Sequence, residues 1–487
     1  MGVIFFEMSK NISKEKRENL LVKIGELRTF LKNANASSEM TAYLSELESE
    51  LKRQKFGLVF EEHKEEIDEI LETHTPILIE DKNLFINNGG QMNFLIEGDN
   101  LAALTLLEKT HKGKIDVIYI DPPYNTGAKD WKYDNDYVDG NDLFRHSKWL
   151  SMMSKRLEIA KKLLAPRGAF ICAIDKNELH TIGLLLENLF GLTHEIHCIT
   201  IIHNPGGVQG KNFSYTHEYA IFVIPKGEKM IGLQNRTDNP DIRPLRDVST
   251  GNHLRVDAKN CFYPIFIKDG QVINFGDVCP DDFHPTSVNE DVGNGVIAVY
   301  PIDTNGNERK WVFARQTVEQ IKNDLKVQFN KSRKIFDIIR VKTHFNYKTV
   351  WFDKEYNANI FGTKILKQII PNCNFDFPKS LYNVKDCVGA ILTPQNATIL
   401  DFFAGSGTTG HAVLELNKAD GGKRKFILCT NNENNICRDV TYERIKTVIN
   451  GKRKDGSEYS DPIEASLKYQ KISFIPTAEQ TFKNTLF

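Results

Sequence analysis

The sequence has little of what would mark a secreted, metal-binding or membrane protein. Eight cysteines are scattered over 487 residues, and none forms a Cys-x-x-Cys pair. That scatter weighs heavily against a zinc or disulfide framework and leaves reduced core cysteines in a cytoplasmic protein as the expectation, with no metal site. No apolar run has the length needed to cross a bilayer. The short patch from Val3 to Phe6 is closed by Glu7, too early for a secretory leader, and Phe6 stands where a myristoylation signal needs Ser or Thr. Charge of one sign is also missing: 63 Lys and Arg face 64 Asp and Glu, a net of -1. Any surface for nucleic acid must therefore be local and offset elsewhere. What the chain does have is 40% apolar and 26% charged residues, enough for a large core and about three domains.

Three textures follow one another along the chain. Residues 1–75 form an N-terminal segment in which 9–74 read as helix, with Leu20, Ile24, Leu27 and Leu31 at helical spacing. Ser37 and Ser38 offer an N-cap, and Pro76 is the expected stop. Such a helical hairpin serves equally well as a local cap or as a dimer contact. Residues 76–205 alternate strands with helices: strands at 93–97, 115–120 and 169–174, helices at 101–109, 149–164 and 176–190. Residues 206–346 break that rhythm with frequent Pro and Gly, beginning at Pro205-Gly206-Gly207. The alternation resumes over 347–487, with strands at 397–402 and 425–429 around a helix at 411–416. The expected fold is α/β, one doubly wound Rossmann-like sheet split by an insert.

Four motifs carry chemistry. The apolar strand 115–120 runs into Asp121-Pro122-Pro123-Tyr124, at the end where open α/β sheets bind ligands. Prolines fix the backbone and lack N–H donors, leaving carbonyls free to accept. A carboxylate plus a rigid carbonyl can hold both hydrogens of a primary amine. Tyr124 can stack on the ring that bears it, a contact of about 1–3 kcal/mol. The second motif is Asp401-Phe402-Phe403-Ala404-Gly405-Ser406-Gly407-Thr408-Thr409-Gly410-His411, a strand feeding a glycine turn that opens a helix. Its glycines admit a ligand to the backbone, and the helix N-terminus favours an anion. His411 stands where a P-loop needs Lys, which disfavours an NTPase. Glu433, 23 residues past Gly410, is placed to take ribose hydroxyls. The third motif is Glu97-Gly98-Asp99-Asn100, where Asp99 can cap the next helix and also accept from an adenine. The fourth is a basic stretch from Arg309 to Lys342, ten cations against three acids, with Trp311, Phe313, Phe329 and Phe345 interleaved. It suits a phosphate backbone, with Arg309, Lys310, Trp311, Arg333 and Lys334 as contacts, although such runs are more often solvated faces.

These residues resemble the β-class amino methyltransferases that act on DNA, in particular the Mod subunits of type III restriction-modification systems. Asp121-Pro122-Pro123-Tyr124-Asn125-Thr126-Gly127 is similar to that family's catalytic loop, and Phe403-Ala404-Gly405-Ser406-Gly407-Thr408-Thr409 to its S-adenosylmethionine loop. The catalytic loop precedes the cofactor loop, the permuted order of that class, with a target-recognition insert between them. Phe377-Pro378-Lys379-Ser380-Leu381 resembles the short Lys motif before the cofactor loop, with Ser380 where the family often has Pro. The likeness covers about 84–205 and 355–475. It implies methyl transfer from S-adenosylmethionine to N6 of an adenine flipped out of duplex DNA. Asp121 and the Pro122 carbonyl would accept the amine hydrogens, with Pro123 and Tyr124 in the same corner and Asn125 beside the substrate. Asp99, Lys379, Asp401, Phe402, Phe403, Gly405, Ser406, Gly407, Thr408 and Glu433 would hold the cofactor. The partners it implies are duplex DNA, a second copy of the chain and a helicase-nuclease restriction subunit. N4-cytosine methylation and a non-catalytic DNA-recognition subunit of the same fold are the alternatives; Asp rather than Ser at position 121 favours adenine within the family.

Overall fold

The computed structural model describes residues 12–34, 37–52, 60–133, 136–237 and 239–477. Helices α1 (Ile12–Asn33) and α2 (Ser38–Lys52) form the N-terminal hairpin, joined by an Arg28–Glu48 ion pair of 2.7 Å. Ser37 accepts from the Met40 amide at the start of α2, as its position suggested. The remaining helical expectation is shorter in the structure. Helix α3 (Glu66–Thr73) stops before Pro76, which lies inside edge strand β1 (His74–Glu80). An edge strand tolerates the missing N–H. Residues 9–11, 35–36 and 53–59 of that reading lie outside the described residues.

The alternating region then builds β2 (Gln91–Glu97), α4 (Asn100–His111), β3 (Ile115–Ile120), α5 (Arg145–Leu163), β4 (Leu164–Ile174), α6 (Leu179–Phe190), β5 (His194–Ile202) and β6 (His217–Pro225). Later in the chain come β7 (Val350–Trp351), α7 (Leu381–Gly389), β8 (Thr398–Asp401), α8 (Thr408–Asp420), β9 (Lys425–Thr430), α9 (Glu443–Asn450) and β10 (Ala465–Pro476). All these strands join one sheet in the order β1-β10-β2-β9-β8-β3-β4-β6-β5-β7. From β10 to β4 the pairs are parallel, and β6 is antiparallel to both β4 and β5. The central strands are apolar runs because both faces are covered: Ile115, Val117, Ile118 and Ile120 of β3 are fully buried. Helix α5 adds Trp149, Met153, Leu157 and Ala160, spaced by three or four residues and all buried in the same core. Each such large apolar side chain contributes about 1.5–3 kcal/mol by leaving water.

The chain divides into two compact units. One holds this sheet and its helices; the other is Lys229–Thr349 with the short return Ala390–Leu392. The expected insert boundary at 206 therefore moves. Pro205-Gly206-Gly207 lies in the hairpin loop between β5 and β6, where Ile202 pairs with His217, and β6 is a strand of the large sheet. The second unit is mainly antiparallel sheet. Strand Ile335–Lys342 lies between Asp241–Pro244 and Leu325–Asn330, and in a separate four-stranded sheet two hairpins meet where Ile265–Lys268 pairs with Val296–Val299. Tyr263, Ile265, Val299, Trp311, Val318 and Ile338 are packed in its core.

Candidate active site

Two loops far apart in sequence leave the sheet side by side. Strands β3 and β8 pair in parallel, Val117 with Ile399 and Ile118 with Leu400, and Asp116 accepts the Thr398 amide at 2.8 Å. The chain proceeds from β3 to β4 on one side and from β8 to β9 on the other. The strand order thus reverses between β3 and β8, and a crevice opens beyond their carboxyl ends. Asp121 starts one lip and Phe402 the other. Asn100, at the start of α4, ties the lips' surroundings together by donating to the Phe402 carbonyl at 2.9 Å.

On the first lip the Trp149 indole donates to the Pro123 carbonyl at 2.7 Å, whereas no donor among the described residues reaches the Pro122 carbonyl. Tyr124 donates its hydroxyl to Glu218 at 2.9 Å. Lys379 bonds to Glu218 and to the Tyr124 hydroxyl, lies 3.4 Å from Asp121 Oδ1, and stands 4.5 Å from the centroid of the Tyr124 ring. Burial lifts the Asp121 carboxyl to about 6, against the opposing pull of the Lys379 ammonium. Asn125 is fully buried with φ near 53°, and its amide donates to the equally buried Glu178 at 2.5 Å. It therefore anchors the loop from inside rather than reaching a substrate, which corrects its expected role.

The second lip is a tight glycine turn. Gly405 and Gly407 have φ of 47° and 77°, the left-handed region in which a side chain is strained. A Cβ on Gly407 would stand 3.1 Å from Thr441 Cγ2, and Thr441 itself donates to the Gly405 carbonyl at 2.5 Å. The Gly405 and Ser406 amides meet no acceptor among the described residues, and α8 begins at Thr408. Free amides at the head of a helix suit a carboxylate. Beneath the turn lies a buried cation that sequence reasoning did not single out. Arg444 donates to Thr408 Oγ1 at 2.8 Å, to Ser406 Oγ at 3.1 Å and to His411 Nδ1 at 3.3 Å. Burial keeps His411 neutral, so it can accept, and lowers Arg444 to about 10.

The DNA methylase family model matches residues 115–442, across both lips. The type II methyltransferase M.KpnI of Klebsiella pneumoniae is 31% identical over 394 residues, 78% of this chain and 90% of that protein. The chain belongs to the DNA methylase family. It is an S-adenosylmethionine-dependent DNA methyltransferase. The type III EcoPI Mod subunit of Escherichia phage P1 is 29% identical over 403 residues, and the StyLTI Mod subunit of Salmonella typhimurium 28% over 401. The alignments span 60% and 57% of those two subunits, less than two thirds of either.

Within this DNA methylase, several expected cofactor residues act from behind the loop. Phe402 is fully buried in the sheet core, so its side chain is packing rather than lining. Asp401 accepts from the Phe403 amide at 2.9 Å and the Thr409 hydroxyl at 2.5 Å, and burial raises it to about 7. The Ser406 and Thr408 side chains turn inward to Arg444, leaving their backbone as the usable part. Phe403 is partly exposed, Glu433 lies exposed beyond β9, and Asp99 caps α4 through the Leu101 and Ala102 amides at 2.8 and 3.0 Å. Asp99 Oδ2 also lies 3.5 Å from Arg156. Lys379 stands with Asp121 and Tyr124 on the first lip. Glu218 and Asn383 complete that corner and were missed; the only signal was one acid inside the apolar strand His217–Pro225.

In the second unit the basic stretch divides. Trp311 is fully buried and donates to the Tyr263 carbonyl at 2.8 Å. Arg309 pairs with Asp303 at 2.7 Å and Lys310 with Asp247 at 3.1 Å. All three thus have a part in holding the fold together, Trp311 from inside the core and Arg309 and Lys310 through ion pairs at its edge. Arg333 and Lys334 lie exposed in the turn after strand Leu325–Asn330, with no ion pair among the described residues. A separate cleft of about 540 Å³ is lined by Arg236, Lys342, Phe345, Tyr347 and Lys348, with Arg236 and Lys342 both against the Phe345 ring.

Proposed function

We propose that the enzyme methylates N6 of adenine in duplex DNA at a specific sequence, as the modification activity of a restriction-modification system. The observation that carries this reading is the shared crevice: an acid-proline-tyrosine corner and a glycine turn on adjacent parallel strands. The bound cofactor supplies a methyl group on a sulfonium, already a good leaving group. The Gly405 and Ser406 amides would hold its carboxylate, with Asp99 and Glu433 near its adenosine end. The protein's share of the work is alignment and electrostatics. An exocyclic amine lies inside the base stack, so the base must be extruded at a cost of a few kcal/mol. Tyr124 would offset part of that by stacking. Asp121 and the Pro122 carbonyl would each accept one amine hydrogen, turning the nitrogen lone pair toward the methyl.

Incubating the protein with methyl-labelled cofactor and DNA, then analysing the nucleosides, tests this. The expected product is N6-methyl-2′-deoxyadenosine; label in cytosine would move the reading to N4 chemistry, and absence of label would end it. Sequencing the modified bases in an expressing host adds the system type. One-strand modification fits a type III system with a restriction subunit as partner, and a palindrome modified on both strands fits a solitary methyltransferase.

The second unit is read as the target-recognition part, supported by its unpaired cations and its cationic-aromatic cleft. Replacing Arg333 and Lys334 together with Gln should lower the slope of log affinity against log salt by about one to two, since each phosphate contact contributes about 0.9. An unchanged slope in a filter-binding titration would make both residues bystanders.

A further inference from the structure

Lys379 poses a problem for the target corner. Its ammonium offers N–H donors to Asp121 from 3.4 Å and covers the Tyr124 ring at 4.5 Å from the centroid. Those are the acceptor and the face that the target base must use. A lysine satisfied by Asp121 alone would close the site to substrate. The ammonium is nearer to Glu218, which comes from β6 and is only 5% exposed. Glu218 is itself held by Asn383 at 3.3 Å and by Tyr124 at 2.9 Å. Burial works against its charge, and Lys379, His203 and the Tyr124 hydroxyl together more than offset that. The corner thus contains two carboxylates and one ammonium, and one negative charge is left over. We propose that Glu218 is a positioning residue that holds Lys379 away from Asp121, so that Asp121 stays open to the target amine. The leftover charge then faces the amine nitrogen, which turns positive as it takes the methyl and stays so until it releases a proton to water. This inference rests on the reading of Asp121 as the amine acceptor.

A double-mutant cycle on the full chain tests it, using single-turnover methyl transfer with saturating cofactor. Glu218→Gln should slow the rate roughly 10–100-fold, the range that residues coupled in one network show. Cofactor affinity should stay within about twofold, because Glu218 touches nothing in the glycine turn. Adding Lys379→Met should restore at least about tenfold of that loss, since the competing ammonium is gone. A double variant as slow as Glu218→Gln or slower, or a Glu218→Gln variant at the wild-type rate, would overturn the proposal. Should Glu218→Gln not fold, Glu218→Leu with and without Lys379→Met carries the same comparison. Asp121→Ala in the same assay separates the two ideas: activity there removes the underlying reading, whereas an inactive Asp121→Ala beside an additive cycle removes only the role given to Glu218.

Discussion

Asp121→Ala will lose methyl transfer by about 10²–10³-fold or more in kcat, the scale seen when one preorganised charge-stabilising group is removed. The loss should fall on kcat rather than on cofactor affinity, because Asp121 meets Lys379 and, among the described residues, makes no hydrogen bond to 405–408. Lys379 keeps Glu218 as its partner in this variant, so no buried charge is stranded and the fold should persist. The pH dependence follows from the same group. The ionised carboxylate is the stronger acceptor and carries the charge that faces the amine as it turns positive, and burial places its titration at about 6. The rate should therefore rise with pH through about 6 and level off above it. Asp121→Asn keeps the shape but not the charge, so that inflection should vanish along with most of the activity. Single-turnover rates across pH 5 to 8, with thermal melts as the control for folding, are the measurement. Wild-type turnover in Asp121→Ala would remove this residue from the mechanism.

How much of this was legible in the sequence differs by element. Strand 115–120 was readable to the residue because a strand buried on both faces must be apolar along nearly its whole length, here all but Asp116, and Asp121-Pro122 ends it abruptly. The glycine turn was readable because positive φ selects Gly at positions 405 and 407. Contact between the two lips was implied by family resemblance; periodicity alone holds nothing about which strands become neighbours. The insert boundary was misplaced because Pro and Gly punctuate a hairpin loop as they punctuate a domain boundary. Charge arithmetic over 309–342 failed for a related reason. Two of the neutralising acids, Asp303 and Asp247, lie outside that window and meet Arg309 and Lys310 only in the fold. Glu218 was invisible for the same cause: its partners Tyr124, Lys379 and Asn383 are 94, 161 and 165 residues away.

Gly407→Val should uncouple the cofactor. Gly407 sits at φ 77° and ψ 24°, where a side chain costs about 1–2 kcal/mol and a β-branched one more. The new Cβ would lie 3.1 Å from Thr441 Cγ2, and the branch leaves it no easy retreat. Pushing Thr441 aside also loosens its bond to the Gly405 carbonyl, so the amides of the turn lose their fixed direction. S-adenosylmethionine affinity should fall by more than about tenfold, equivalent to about 1.4 kcal/mol, as read by isothermal titration. Lower stability alone could mimic part of this, so the companion variant matters. Gly421 has a similar φ of 69° at the far end of α8, with open space where its Cβ would be. Gly421→Val should therefore share the backbone strain and leave cofactor affinity unchanged. If both variants bind cofactor like the wild type, the turn at 405–407 is not the cradle. If both weaken it equally, the effect is general destabilisation rather than loss of the donor geometry.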